Sequence, residues 1–382
     1  MKLLHTSDWH LGMVLRGGLS YAKDQIHFIN EICRVAVEEK VDGLLLAGDV
    51  FDKGIASREA LQIYDDAMTH ICVDLKIPVY MIAGNHDGAE RLSQCSRLLE
   101  NSGLYIAGAL TEDVRVINAG DNTDIYMLPW ITTDKVRSVY PDKALDIVTM
   151  EDAVRAVVNR YRACFVPGHK NILLAHAFIT DAQTSVSDRA AEIGKATMVG
   201  ADVFEGFDYV ALGHLHGPQN ITSNIRYSGS PMAYSFGREE KQEKSVTIVD
   251  TDDMSVKIIP ICGLRKRMTI TGTYDELMAA RFDEETLNGY VRLEVTDSYV
   301  GLDTVAAFRE RYPNLLEIAG KSAEKEDAGI TMTIEEFENA SADPVSVFER
   351  YCEDTMEEKP GKHLEDMFIR SLRKYEKEAT QT

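Results

Sequence analysis

Seven side chains able to bind a metal, Asp8, His10, Asp49, Asn85, His176, His214 and His216, fall in five short clusters. These are Asp8-Trp9-His10, Gly48-Asp49, Gly84-Asn85-His86-Asp87, His176 and Gly213-His214-Leu215-His216, each behind a short apolar run. In an open α/β sheet the strand ends collect the ligand-binding loops, so five such ends would aim these residues at one crevice. Two carboxylates, one amide oxygen and four imidazoles can serve two cations with mixed oxygen and nitrogen ligands. That donor set suits manganese, iron or zinc better than magnesium or calcium.

The spacing adds content. Asp8 and His10 lie two apart, as do His214 and His216, and an extended exit from a strand would point both members of each pair to one side. Gly48, Gly84 and Gly213 directly precede candidate ligands, where a residue without a side chain lets the backbone turn sharply. Asp49 stands alone between the pairs, which suits a carboxylate bridging two ions. His86 reads as an acid or transition-state stabiliser oriented by Asp87.

The elements that must position these groups are strands alternating with helices over the first 262 residues. Strands are expected at 3–6, 43–47, 79–83, 114–117, 125–128, 172–175 and 209–212. Helical spacing covers 26–37 and 60–72, and Thr149 with Asp152 forms a capping box ahead of 153–161. After residue 224 plain strands at 225–227, 245–249 and 256–261 finish the unit as antiparallel strands. The basic run Arg265-Lys266-Arg267 marks a boundary. Strands at 269–272, 291–295 and 315–318 with helices at 275–280 and 302–311 then make a small α/β domain. The expected division is 1–262, 263–335, an acidic linker at 336–343, and partner-binding helices at 344–382, where Leu364, Met367, Phe368, Leu372 and Tyr375 share one face.

A length of 382 residues fits two or three folded units, and 45% hydrophobic with 27% charged residues excludes disordered and fibrous classes. No run approaches the ~18 apolar residues of a spanning helix, and no signal-peptide core follows Met1, so a cytoplasmic protein is expected. The six cysteines lack zinc-clip spacing and read as reduced. The net charge of -21 is spread along the chain: residues 263–382 hold 16 basic against 26 acidic residues. A polyanionic substrate must therefore be held by local groups, metal ions or a partner.

Taken together, the five clusters resemble those of the calcineurin-like metallophosphoesterases. The flanking Thr6-Ser7-Asp8-Trp9-His10-Leu11-Gly12, Ala47-Gly48-Asp49-Val50-Phe51-Asp52 and Ala211-Leu212-Gly213-His214-Leu215-His216 look like the bacterial SbcD-type nuclease subunits. One departure is Asp52, where archaeal and eukaryotic relatives often carry a second catalytic histidine. The resemblance implies a four-layer α/β fold, two packed mixed sheets flanked by helices, followed by a small α/β capping domain and C-terminal helices. It implies that Asp8, His10, Asp49 and His216 bind one metal and that Asp49, Asn85, His176 and His214 bind the other, with His86 assisting the leaving group. It further implies a DNA exo/endonuclease using two divalent ions, manganese foremost, on double-strand ends and hairpins. The partners implied are double-stranded DNA, an SbcC-type coiled-coil ATPase and a second copy of the chain, for which the helix at 60–72 offers a face.

Blander readings hold for other residues. His5 reads as packed in its strand, and His27, His70 and His363 as surface or core residues. Ser228-Gly229-Ser230-Pro231 is either a turn or a phosphate cradle, and Tyr227 and Tyr234 either core or base-stacking. Trp9 is expected to pack beside the metal site. Competing functions are a phosphoesterase for small phosphodiesters or phosphoproteins, and a metal-bound scaffold.

Overall fold

The protein is described by a computed structural model that covers residues 1–14, 20–180, 182–185, 187–188, 198–280, 283, 286, 288–297, 302–320 and 368. Met1–Gly320 form one compact unit and Lys321–Thr382 a second. The linker expected at 336–343 and the helices expected over 344–382 lie outside the described residues, Phe368 excepted, as does the 321–335 end of the small domain.

In chain order the strands are β1 (Lys2–Thr6), β2 (Gly43–Ala47), β3 (Val79–Ile82), β4 (Leu104–Ala107), β5 (Val116–Gly120), β6 (Thr123–Leu128), β7 (Lys170–His176), β8 (Phe178–Ile179), β9 (Met198–Val199), β10 (Tyr209–Gly213), β11 (Gln219–Asn220), β12 (Ile225–Tyr227), β13 (Ser245–Asp250) and β14 (Val256–Pro260). One six-stranded sheet runs β14-β13-β1-β2-β3-β4 and a second runs β11-β12-β10-β7-β6-β5. Both are mixed. β1, β2, β3 and β4 are parallel to one another, while β13 lies antiparallel to β1.

The central strands, β2, β3, β6 and β10 among them, are buried along their whole length because both faces are covered, which erases the usual alternation. Leu3, Leu45, Tyr80, Ile82, Ile172, Leu174, Tyr209 and Ala211 meet between the two sheets. Their neighbours Leu4, Leu44, Leu46, Val79 and Met81 face the other way, against α1 (Ala22–Glu39) and α2 (Arg58–Thr69). Leu173, Ala175, Val210 and Leu212 pack outward with Val154, Val157, Val158 and Tyr161. These last four lie on the helix Met150–Arg162, whose N-terminus carries the expected Thr149/Asp152 capping box. The order helix, sheet, sheet, helix is the four-layer architecture.

The stretch after residue 224 differs from the expected antiparallel finish at one place. β12 runs parallel to β10, because the connection between them crosses over and contributes β11, which pairs antiparallel with β12. β13 and β14 are antiparallel as expected. Strand β4 and the short helices Ala89–Leu92, Ser96–Leu99 and Thr133–Val139 are elements beyond those expected.

Beyond β14, Arg267–Gly272, Tyr290–Val295 and Leu315–Gly320 form a three-stranded parallel sheet. It has a core of its own in Leu277, Val291, Leu293, Val295, Phe308 and Tyr312. The basic run that marked a boundary is a seam: Arg265 pairs with Asp24 at 2.8 Å, and buried Arg267 donates to the Ala233 carbonyl at 2.8 Å.

Candidate metal centre

All five clusters lie at the C-terminal ends of β1, β2, β3, β7 and β10, the edge where parallel strands present their ligand loops. Beyond the strand ends, Asp8 N–H donates to the Gly48 carbonyl at 3.0 Å and His10 N–H to the Asp49 carbonyl at 2.9 Å, so the first two loops stay laced together.

The exits are not extended. Asp8, His10, Asp49 and His214 have φ of 55°, 44°, 49° and 106°, a region that costs an L-residue free energy and clusters at functional sites. Left-handed turns, rather than strand alternation, aim the paired side chains inward. Gly48 also turns, with φ 87°. Gly84 has a different job from the expected one: a Cβ there would collide with the Asp49 carboxylate, so the position is kept small for close approach.

Among the described residues the donors converge as three groups, one of which shares a member with each of the other two. Asp8, His10 and His216 form one, Asp49, His176 and His214 another, and His10, Asp49 and His86 a third lying between them. The His10 and His216 Nε2 atoms are 3.2 Å apart. Asn85 Oδ1 lies 3.0 Å from both His176 Nε2 and His214 Nδ1, which are themselves 3.3 Å apart. Asp49 faces both groups, its Oδ2 lying 3.7 Å from His10 Nε2 and 3.4 Å from His176 Nε2. Its Oδ1 accepts from the His86 N–H at 2.9 Å.

Proton counting tests whether a cation fits. His176 Nδ1 donates to the Ala47 carbonyl at 2.9 Å, so in the neutral ring Nε2 is a lone pair. That lone pair faces the Asn85 oxygen and the Asp49 carboxylate, acceptors both. An extra proton or a cation at this spot resolves the conflict, the other donor within reach being an Nδ1–H of His214 at 3.3 Å. Without metal the proton does so: burial pulls the His176 pKa down, but the Asp49 carboxylate outweighs it and raises the value to about 9. Burial, helped by the His176 charge, drives His214 down to about 3, and burial drives His216 well below the usual imidazole range. Burial lifts Asp8 to about 6, with the Asp49 charge adding to the rise. A divalent cation supplies the positive charge these buried carboxylates and lone pairs lack, and the residues fit one.

His86 and Asp87 each hold backbone groups at this edge. His86 Nδ1 lies 2.8 Å from the Asp52 carbonyl oxygen, and its ring stands edge-on to His10 at 4.7 Å. Asp87 braces two loops, its carboxylate accepting the N–H groups of Gly84 at 2.8 Å, Phe51 at 2.8 Å and Val50 at 3.1 Å. Burial and the nearby Asp49 raise its pKa to about 7.

The surrounding residues sort out the blander readings. His5 is buried, 3.0 Å from the Tyr209 hydroxyl and 3.1 Å from the Leu212 carbonyl. Trp9 is fully buried with its indole N–H on Thr6 Oγ1. Tyr234 donates to the Asp8 and Trp9 carbonyls, and Tyr227 to the Ala177 carbonyl, so both are core. Ser230 N–H bonds the His216 carbonyl at 3.1 Å, so the buried segment Ser228-Gly229-Ser230-Pro231 is tied to the His216 loop. Asp52, the position singled out as a departure from the family pattern, has its Oδ1 3.7 Å from His10 Nδ1, while sequence reasoning missed Trp130, stacked on His214 at 5.3 Å. It also missed Ser187, Glu239 and Lys244 behind His216. None of these four missed residues, Trp130, Ser187, Glu239 and Lys244, carries a spacing signal.

Comparison with known proteins follows the same line. A family model described as calcineurin-like phosphoesterase matches residues 1–218, and one described as type 5 capsule protein repressor C-terminal domain matches residues 265–356. The SbcD subunit of the SbcCD nuclease of Staphylococcus epidermidis is 32% identical over 84% of this chain and 85% of its own length. The same subunit from Staphylococcus saprophyticus is 31% identical over 84% of this chain and 85% of its own. Among solved structures, TT1561 of Thermus thermophilus aligns with 68% of this chain and 99% of its own, with TM-score 0.38 and 11% identity.

Proposed function

The chain belongs to the calcineurin-like phosphoesterases, in their SbcD nuclease branch, and from that premise we propose that it cuts double-stranded DNA at ends and hairpins using two manganese ions. It is a metal-dependent phosphodiesterase. In this reading Asp8, His10, Asp49 and His216 hold one ion, and Asp49, Asn85, His176 and His214 hold the other. The observation that carries it is the position of Asp49 Oδ2, within 3.7 Å of His10 and 3.4 Å of His176, between the two donor groups.

Held by Asp8, His10, Asp49, Asn85, His176, His214 and His216, a pair of divalent ions would supply Lewis acidity and make water a better nucleophile at neutral pH. The chain's own residues do the rest. His176 is fixed through Nδ1 on the Ala47 carbonyl, so its Nε2 stays aimed inward. His86, with Nδ1 toward the Asp52 carbonyl, would give a proton from Nε2 to the departing oxygen and regain it from water. Asp87 keeps the Asp49 and Asn85 loops in register.

The charge of -21 opposes approach to DNA. That favours capture of the substrate by a larger assembly, which we take to include an SbcC-type coiled-coil ATPase; the relatives' name, SbcCD, points to such a second subunit. Residues 344–382 are proposed as the docking segment, 336–343 as the linker before it, and 263–335 as a capping domain after the nuclease domain at 1–262. A homodimer is proposed as well, with exposed Leu61 of α2 on the contact face. No helix among the described residues is long and apolar enough to cross a membrane, and the proposed location is the cytoplasm, where DNA is met. The test is hydrolysis of linear duplex DNA with manganese, alone and with the ATPase. Activity stimulated by ATP only in the presence of the partner supports the reading. Hydrolysis of small phosphodiesters with no cutting of duplex DNA under either condition would replace it with a small-molecule phosphoesterase.

A further inference from the structure

Behind His216, on the side away from His10, lies a buried polar network that the reading above leaves without a role. Ser187 Oγ is 2.6 Å from His216 Nδ1 and donates its own proton to Glu239 Oε1. A hydroxyl has one proton, so with that proton on the carboxylate its oxygen must accept from the imidazole. His216 is thereby held as the Nδ1–H tautomer, and Nε2 is left as a lone pair facing His10 at 3.2 Å.

Glu239 is itself fixed. It is fully buried, and its Oε2 accepts from Lys244 Nζ at 3.1 Å and from the Tyr234 N–H at 2.9 Å. Lys244 is 7% exposed and its three ammonium protons meet three acceptors: Glu239 Oε2, Ser230 Oγ at 3.0 Å and the His216 carbonyl at 2.9 Å. His216 is therefore gripped at its ring through Ser187 and at its backbone through Lys244. Asp188 adds a third hold, accepting the His216 N–H at 2.9 Å. A buried ion pair needs a reason beyond stability, since apolar residues of like volume often serve the fold as well.

We propose that Glu239 and Lys244, acting through Ser187, are positioning residues that fix the tautomer and direction of His216 for a divalent cation. The proposal rests on the metal-site reading above. It makes the network the outer support of one ligand, the kind of support whose loss costs about 10- to 100-fold in metal affinity.

The test uses the full-length chain. In Ser187→Ala the relay is cut, while the Lys244 and Glu239 pair stays. Manganese calorimetry should show one of the two sites weakened about 10- to 100-fold. Nitrogen-15 spectra of the metal-free protein should show the His216 ring shifting from Nδ1–H toward a tautomer mixture. Ser187→Thr, which restores the hydroxyl, should return both readings to the parent's. Glu239→Gln serves as a second variant: its amide leaves Lys244 without an ionic partner, so a lower melting temperature with the same tautomer shift is expected. Parent-like affinity and an unchanged tautomer in Ser187→Ala would overturn the relay alone. A parent chain that takes up no manganese would overturn the metal reading, and the relay with it.

Discussion

Replacing Asp87 separates two roles for one carboxylate. In the structure it takes three backbone N–H groups from two loops: Val50 and Gly84 share Oδ2, and Phe51 uses Oδ1. An unsatisfied buried donor costs about 1–3 kcal/mol. Asp87→Ala orphans all three, and partial relaxation of the loops brings the expected loss to about 3–6 kcal/mol. Asp87→Asn can keep its oxygen on the Val50 and Gly84 amides but turns an NH₂ against Phe51 N–H. One orphaned donor gives about 1–3 kcal/mol, lessened by relief of the repulsion from Asp49. Urea unfolding of the metal-free protein should give that order, parent above Asn above Ala. Manganese affinity should fall in the same order, because Asp49 and Asn85 ride on the braced loops. Parent-like stability and affinity in Asp87→Ala, with turnover alone reduced, would refute the brace and return Asp87 to orienting His86.

Three other outcomes are expected. His86→Ala should leave manganese binding near that of the parent while turnover falls about 10²- to 10⁴-fold; lost affinity in calorimetry would move His86 among the ligands. Asp49→Asn should be worse than Asp8→Asn, since its Oδ2 faces both donor groups, and elemental analysis should find both ions depleted rather than one. Metal uptake at pH 7 to 8 should release protons and tighten as pH rises, because His176, raised to about 9 beside Asp49, is protonated until an ion displaces its proton. The sign in the metal-free protein is the opposite: the raised His176 stabilises the fold fully below about pH 6.5 and loses that contribution as pH climbs through about 9. Calorimetry in buffers of different ionisation enthalpy reads the proton count, and no release would contradict it.

The strands were legible because burial on both faces writes continuous apolar runs such as Gly43–Ala47 and Tyr209–Gly213 into the chain. Helix Met150–Arg162 was legible down to its capping box, since Thr149 and Asp152 are a local signal. Strand Leu104–Ala107 was not: four residues behind two single-turn helices carry too little periodicity to stand out. The convergence of Asp8, His10, Asp49, Asn85, His176, His214 and His216 was readable because each sits next to a strand end. How they are aimed was not, because left-handed φ at Asp8, His10 and Asp49 is a property of the closed loops. The supports behind them come from distant turns, with Glu239 reaching Ser187 across 52 residues, and no local pattern announces such a contact.

The central claim is a bridged pair of ions at Asp49. Electron paramagnetic resonance of the protein loaded with manganese tests it most directly, with elemental analysis on the same sample. Two manganese ions per chain with a spin-coupled spectrum, and loss of the coupling in Asp49→Asn, is the predicted result. A single ion, or two magnetically isolated ions unaffected by that substitution, would contradict it.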